Sequence, residues 1–297
     1  MATDLLRTPR AGLGPTAGTA AVVLLALLAA TAAAPLVAMA LGTDGRSVDL
    51  LARLEPPSVA HPLGTDELGR DVLVRLLEAG RISLAVGLGG ALLAAVIGTA
   101  IGLAAGYVGG VLDALLMRVT DAVISLPLLP LLIVLAAVDL GKLGLPRDST
   151  ASSVARLIVI VGLFGWTTTA RLVRASVLSL RSSEFVRAAQ ALGGGTLTIL
   201  IRHILPNAAG PLIVATTLSV GNVILAESVL SFLGLGIQPP APSWGNMLTG
   251  AQDLVFEAPR LAWWPGLLIF LAVLSFNVLG DGLQAALDPR RRRGGVR

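Results

Sequence analysis

Residues 82–112 read ISLAVGLGGALLAAVIGTAIGLAAGYVGGVL, a run free of Asp, Glu, Lys and Arg. A helix rises about 1.5 Å per residue and bilayer hydrocarbon is about 30 Å thick, so about 20 apolar residues suffice to cross it. Lipid offers no water to backbone N–H and C=O groups, and a helix satisfies them all within one segment. The run therefore predicts a transmembrane helix. Gly98, Gly102, Gly106 and Gly110 recur at every fourth position along it, a stripe of small residues that lets a second helix approach to backbone contact. The stripe is compatible with a neighbour in this chain or in a partner chain.

Uncharged stretches at 11–43, 122–138, 204–226 and 261–280 add four further spans, and a shorter one at 157–170, bounded by Arg156 and Arg171, adds the last. The short stretch predicts a helix from about Ala151 to Val173. Arg156 then either snorkels to the headgroups or faces a lumen. The expectation is an all-α membrane protein of six transmembrane helices. Composition agrees: 55% of residues are hydrophobic, 13% charged, and the mean hydropathy is +0.83, outside the balance of a soluble domain. Aromatic residues make up 4%, which argues against a barrel with aromatic girdles. Pro127 and Pro130, and Pro206 and Pro211, mark expected bends or helix starts.

The first apolar stretch is too long for the roughly 7–15-residue core of a cleaved signal, and reads as a signal anchor. Six spans put both termini on one side. With both cytoplasmic, thirteen of the 22 Lys and Arg residues fall inside, including Arg290–Arg293 of the basic tail, as the positive-inside rule asks. The expected divisions are a cytoplasmic tail 1–15, a first helix 16–41, a periplasmic segment 42–81, a five-helix transmembrane domain 82–281 and a basic cytoplasmic tail 282–297. The net charge of +4 and pI near 10.8 follow from arginines placed between spans, so they set orientation and do not argue for nucleic acid. The absence of cysteine excludes disulfides, thiolate metal sites and cysteine nucleophiles.

The cytoplasmic segment 182–206 is the most informative. EFVRAAQALGGGT over 184–196 runs on to Arg202-His-Ile-Leu-Pro206-Asn207. A helix from about Glu184 to Leu192, a Gly193-Gly194-Gly195 turn, and an amphipathic piece from Thr196 to Ile204 form a helix-turn-helix facing water. Its apolar knob has reason to be exposed only if it docks into a partner; the alternative is a hairpin lying on the lipid surface.

This segment resembles the cytoplasmic signature of permease subunits in binding-protein-dependent ABC importers: E-A-A, three residues, G, nine residues, I-x-L-P. Ala188, Ala189, Gly193, Leu205 and Pro206 fall on that pattern. Arg187 replaces the usual Glu and His203 the usual Ile, as in the peptide-importer branch. The resemblance implies a coupling helix that inserts Ala188 to Thr196 into a groove on an ATPase. The implied coupling residues are Glu184, Arg187, Ala188, Ala189, Leu192, Gly193, Gly194, Thr196, Leu205 and Pro206.

Three further stretches are similar to the second (C-type) permease of dipeptide and oligopeptide importers. They are HPLGTDELGRD at 61–71 followed by Arg81-Ile-Ser83, ESVLSFLGLGIQPP at 227–240 followed by Ser243-Trp-Gly245, and NVLGDGL at 277–283 followed by Leu287-Asp-Pro289. Together the resemblance covers roughly residues 60–290. It implies the type I ABC importer permease fold and alternating access for peptides delivered by an extracytoplasmic binding protein. The implied partners are a second homologous permease and two ATPase subunits or domains; this chain itself binds no cofactor or metal, ATP and Mg belonging to the ATPases. Nickel, glutathione or another small solute is the alternative cargo.

The residues themselves constrain the energy source. A P-loop needs Lys followed by Ser or Thr, and the only lysine, Lys142, precedes Leu143, so the chain does not cradle ATP itself. An ion-coupled secondary transporter would carry acids or charged pairs inside its spans; Asp113, Asp121, Glu227 and Asp281 are all expected at span ends. Pro239, Pro240 and Pro242 forbid a straight helix over 228–252, leaving a re-entrant gate or a plain periplasmic loop. His61 is expected as a loop hydrogen-bonder, with no carboxylate placed beside it. No loop gathers a nucleophile, base and acid.

Overall fold

The computed structural model describes residues 14–137 and 149–287. Arg7, Arg10, Lys142, Asp288, Pro289 and the basic run Arg290–Arg293 lie outside the described residues. The regular elements of the described chain are helical: α1 (Pro15–Ala32), α2 (Ala34–Leu41), a 3-10 turn at Leu50–Ala52, α3 (Val72–Val108), α4 (Gly110–Ser125), α5 (Leu128–Ala137), α6 (Thr150–Leu180), α7 (Glu184–Ala191), α8 (Thr196–Ile199), a π turn at Leu200–Ile204, α9 (Leu205–Phe232), α10 (Trp244–Gln252) and α11 (Arg260–Leu287). Five runs are long and apolar enough to cross a bilayer, and α4 with α5, meeting at 85°, makes a sixth as one broken span. α8, the π turn and α9 form one of the five, Thr196–Phe232.

Helices run past their apolar cores where caps permit. α3 begins ten residues before Ile82 because the Asp71 carboxylate accepts from the Val74 N–H (2.8 Å), satisfying an orphan donor of the first turn. α6 is capped the same way by Ser149 on the Ser152 N–H (3.1 Å). The first span is two pieces, α1 and α2, joined at Ala33. Pro127 lies in the break between α4 and α5, as expected of a residue that supplies no N–H.

The glycine stripe packs within the chain, against α6. A Cβ on Gly98 would lie 2.6 Å from the Trp166 carbonyl oxygen, one on Gly102 2.6 Å from that of Ala170, and one on Gly106 2.8 Å from Val177 Cβ. Gly110 does not belong to this interface. α3 ends at Val108, and Gly110 has φ +58 with nothing within 4 Å of a Cβ there: the fourfold spacing continues in sequence after the helix that would align it has ended. Gly102→Val is therefore expected to force α3 and α6 apart, with an overpacking cost of about 3 kcal/mol and a clear drop in melting temperature in detergent. Gly18→Val, at a position open to 4 Å, should melt like wild type; equal melting of both variants would refute backbone contact along the stripe.

The segment between α2 and α3 is a folded cap. It leaves α2 through a turn in which Asp44 accepts from the Ser47 and Arg46 N–H groups and the Ser47 hydroxyl, and these donors hold its carboxyl at about 2. Further on, Asp66, Arg70 and Arg75 form a buried ionic cluster (Arg70 Nε to Asp66 Oδ2 2.8 Å, Arg75 Nε to the same oxygen 3.3 Å). Arg260 at the start of α11 donates to the Leu54 and Glu55 carbonyls. His61 is a loop hydrogen-bonder as expected, but a carboxylate does stand beside it: its Nδ1 lies 2.9 Å from Asp71 Oδ2. The bend at Gly64 and Gly69 (φ +78 and +72) folds the loop back, a pairing that sequence spacing does not display.

Residues 228–232 complete α9, and 233–252 form short pieces seated on the bundle. α10 is held by a capping box between Ser243 and Asn246. Trp244 is fully buried, its indole N–H donating to the Leu76 carbonyl (3.1 Å). A Cβ on Gly245 would lie 2.4 Å from the Ser228 carbonyl oxygen, so α10 rests on the backbone of α9. Arg156 Nη2 donates to the Leu235 carbonyl (3.1 Å) in this same region.

Candidate functional site

Two features stand out, an exposed apolar surface at one end of the bundle and a groove beside it. The surface is built on α7, α8 and the π turn. Val186, Ile199 and Ile204 are buried together with Val173 and Val177 of α6, so the segment carries its own small core and clamps onto the end of α6. Gly193, at φ +81, closes α7: its N–H donates to the Gln190 carbonyl and that of Gly194 to the Ala189 carbonyl. Only glycine adopts that conformation at little cost. Gln190 Nε2 reaches the Tyr107 hydroxyl at the end of α3 (3.3 Å).

Outward, the segment presents Leu192 (89% exposed), Leu197 (68%) and Ile201 (53%), an apolar knob uneconomical in water without a partner. Of the residues expected for coupling, Glu184, Arg187, Ala188, Leu192, Gly193 and Thr196 are exposed here and Ala189 and Gly194 half-buried. Leu205 and Pro206 open α9, Pro206 in its first turn. The helix that includes them runs unbroken from Thr196 into the bundle. Sequence reasoning missed the inner core: Val186, Ile199 and Ile204 each stand beside another apolar residue (Phe185, Leu200 and Leu205), so adjacency in sequence does not tell the buried member from the exposed or half-buried one.

Three tethers join this end of α6 to its neighbours. Arg174 pairs with Asp113 of α4 through both nitrogens (Nε–Oδ1 and Nη2–Oδ2, each 2.6 Å). Arg171 pairs with Asp121 (2.5 Å), and Arg181 Nη1 donates to the Gly106 carbonyl (3.1 Å). Asp113 and Asp121 thus have guanidinium partners rather than headgroup contacts alone.

The groove, about 670 Å³, runs between α5, α6, α9 and the end of α11. Along α9 it extends from Gly210 to Ala226, about 24 Å at helical rise, most of the hydrocarbon thickness. Leu128, Phe164 and Val214 line it, with hydroxyls of Thr167, Thr168 and Ser219 and amides of Asn222 and Gln284; none of its lining residues is charged.

The expectation of acid-free spans needs correction at Glu227. It is 0% exposed inside α9, where Ser83 and Ser231 donate to its two carboxyl oxygens (2.9 and 2.7 Å). It looked like a span end because the apolar count stops there, whereas α9 continues to Phe232. The carboxyl is absent from the groove lining. Among the described residues no group of three His, Cys, Asp or Glu is placed to hold a metal.

The family model described as "Binding-protein-dependent transport system inner membrane component" matches residues 98–293. The glutathione transport system permease protein GsiD of Escherichia coli O157:H7 is 43% identical over 216 residues, 73% of this chain and 68% of that protein. The protein of the same name from Shigella flexneri serotype 5b (strain 8401) is 45% identical over the same coverage.

Proposed function

This chain belongs to the binding-protein-dependent transport system inner membrane components, and on that premise we propose that its groove is one wall of a path for short peptides and that 182–206 is the docking site of the ATPase. As a member of that family it is a multi-pass inner-membrane permease of an ABC importer, a non-catalytic subunit served by a binding protein and an ATPase. The proposal adds the second, homologous permease that closes the groove's open side, two ATPase subunits or domains, and cytoplasmic placement of both termini.

The observation that carries the proposal is the groove's continuity from Gly210 and Pro211, next to the docking surface, up to Ala226, with neutral lining throughout. Hydroxyls and amides match the hydrogen-bonding of peptide units without holding any one side chain tightly, and weak ground-state binding suits a path that must release what it carries. Ion coupling is disfavoured because Glu227 stands off the groove with its oxygens taken by serines. Glutathione is the second reading, favoured by the names of relatives 43% identical; as a tripeptide it presents the same amides and carboxylates.

The test is to purify the tagged chain with its native partners, reconstitute it in proteoliposomes, and measure ATP-dependent uptake of a labelled dipeptide, a pentapeptide, glutathione and Ni²⁺. Uptake of the peptides is expected. Transport of glutathione alone selects the second reading, and transport of Ni²⁺ alone defeats both.

A further inference from the structure

We propose that the Asp113–Arg174 ion pair is the strut that carries motion of the docking segment into the broken span α4–α5. The inference rests on reading 182–206 as the ATPase-docking site. Arg174 lies on α6 between Val173 and Val177, the residues onto which the docking segment packs its own core. A push on that segment is therefore delivered to the turns of α6 that hold Arg174.

Apart from Thr120 and from Val123, which packs against Ala94, Trp166 and Ala170, α4 has little other purchase on the bundle. Thr120 is its single buried residue, while Val111, Leu115 and Val119 are exposed. Sparse packing transmits displacement poorly, so a directional, two-bond contact dominates the connection. Asp113 supplies it, with its side chain 17% exposed and both carboxylate oxygens engaged at 2.6 Å. The companion pair Arg171–Asp121 is about half exposed on both sides, where ion pairs contribute little. Beyond the 85° bend, α5 opens with Leu128, which lines the groove. Asp113 and Arg174 are thus positioning residues, acting on the path through α4 and α5 without touching what passes through it.

The test uses the complete importer in proteoliposomes, reading ATP hydrolysis and uptake together with ATPase retained per permease. Asp113→Arg and Arg174→Asp, each with its ATPase bound, are expected to hydrolyse ATP while uptake per ATP falls at least tenfold. The exchange of both, Asp113→Arg with Arg174→Asp, should restore coupling, which a merely structural defect would not do. Asp113→Asn, close in size, carries the same expectation if the reversals do not assemble. Wild-type coupling in an assembled Asp113→Asn or charge-reversal complex overturns the strut, as does failure of the exchange to restore it. A wild-type chain that retains no ATPase instead overturns the docking reading on which the strut rests.

Discussion

Gly193→Asp is expected to leave the permease folded and to lower its affinity for the ATPase about a hundredfold, with uptake lost in proportion. Gly193 sits at φ +81 with nothing within 4 Å of a Cβ, so the substitution meets no clash. Its backbone cost is about 1 kcal/mol, since Asp tolerates the left-handed region better than most residues. The charge is the larger effect. It falls beside Leu192, 89% exposed, and must lose its water when that knob is covered, at a cost of about 3 kcal/mol without a cationic partner, or about two decades in affinity. Gly193→Asn bears the same backbone cost without the charge and should lose tenfold or less. The measurement is ATPase retained per permease after size exclusion, over a range of ATPase concentration. Equal retention by the Asp and Asn variants would place residue 193 outside the contact.

The spans were legible because lipid imposes a requirement visible in composition: uncharged runs of sufficient length appear in the structure as α1, α3, α9 and α11, while the short run 157–170 lies inside the longer, arginine-flanked α6. The helix-turn-helix at 184–204 was legible for a different reason, three consecutive glycines between apolar patterns. What escaped depends on partners distant in sequence. Nothing near Glu227 announces Ser83, which lies 144 positions away along the chain. Asp113 and Arg174 are separated by 61 positions, so neither is paired until α4 and α6 are laid side by side. Gly110 failed in the opposite sense. Periodicity has no means of registering where a helix stops, and the stripe was extended one residue too far. The tethering of Arg156 to a carbonyl of the outer segment was equally hidden, because a backbone acceptor leaves no trace in side-chain composition.

Glu227→Ala is expected to loosen the seating of α10 on the bundle while sparing the segment 184–204. The carboxyl accepts from Ser83 of α3 and Ser231 of α9, and these hydroxyls accept in turn from the Trp244 and Ile237 N–H groups (3.3 and 3.1 Å). One buried group therefore ties α3, α9 and the outer segment 232–244 together. Its removal leaves two buried hydroxyls without their acceptor, each at a cost of about 1–3 kcal/mol, and a cavity besides. A combined loss of about 4 kcal/mol is a large part of a typical folding stability and corresponds to a fall in melting temperature of about 10 °C. Glu227→Gln keeps one acceptor, and the serine hydroxyls have lone pairs to receive its amide hydrogens; a loss of about 1 kcal/mol is expected. Hydrogen exchange should localise the damage: amides of 232–252 exchange faster in Glu227→Ala, while those of 184–204 keep their wild-type protection and the ATPase stays bound. A Glu227→Ala protein that melts with wild type and protects 232–252 equally well would mean that apolar packing around Trp244 holds α10 by itself, leaving the carboxyl without a structural role.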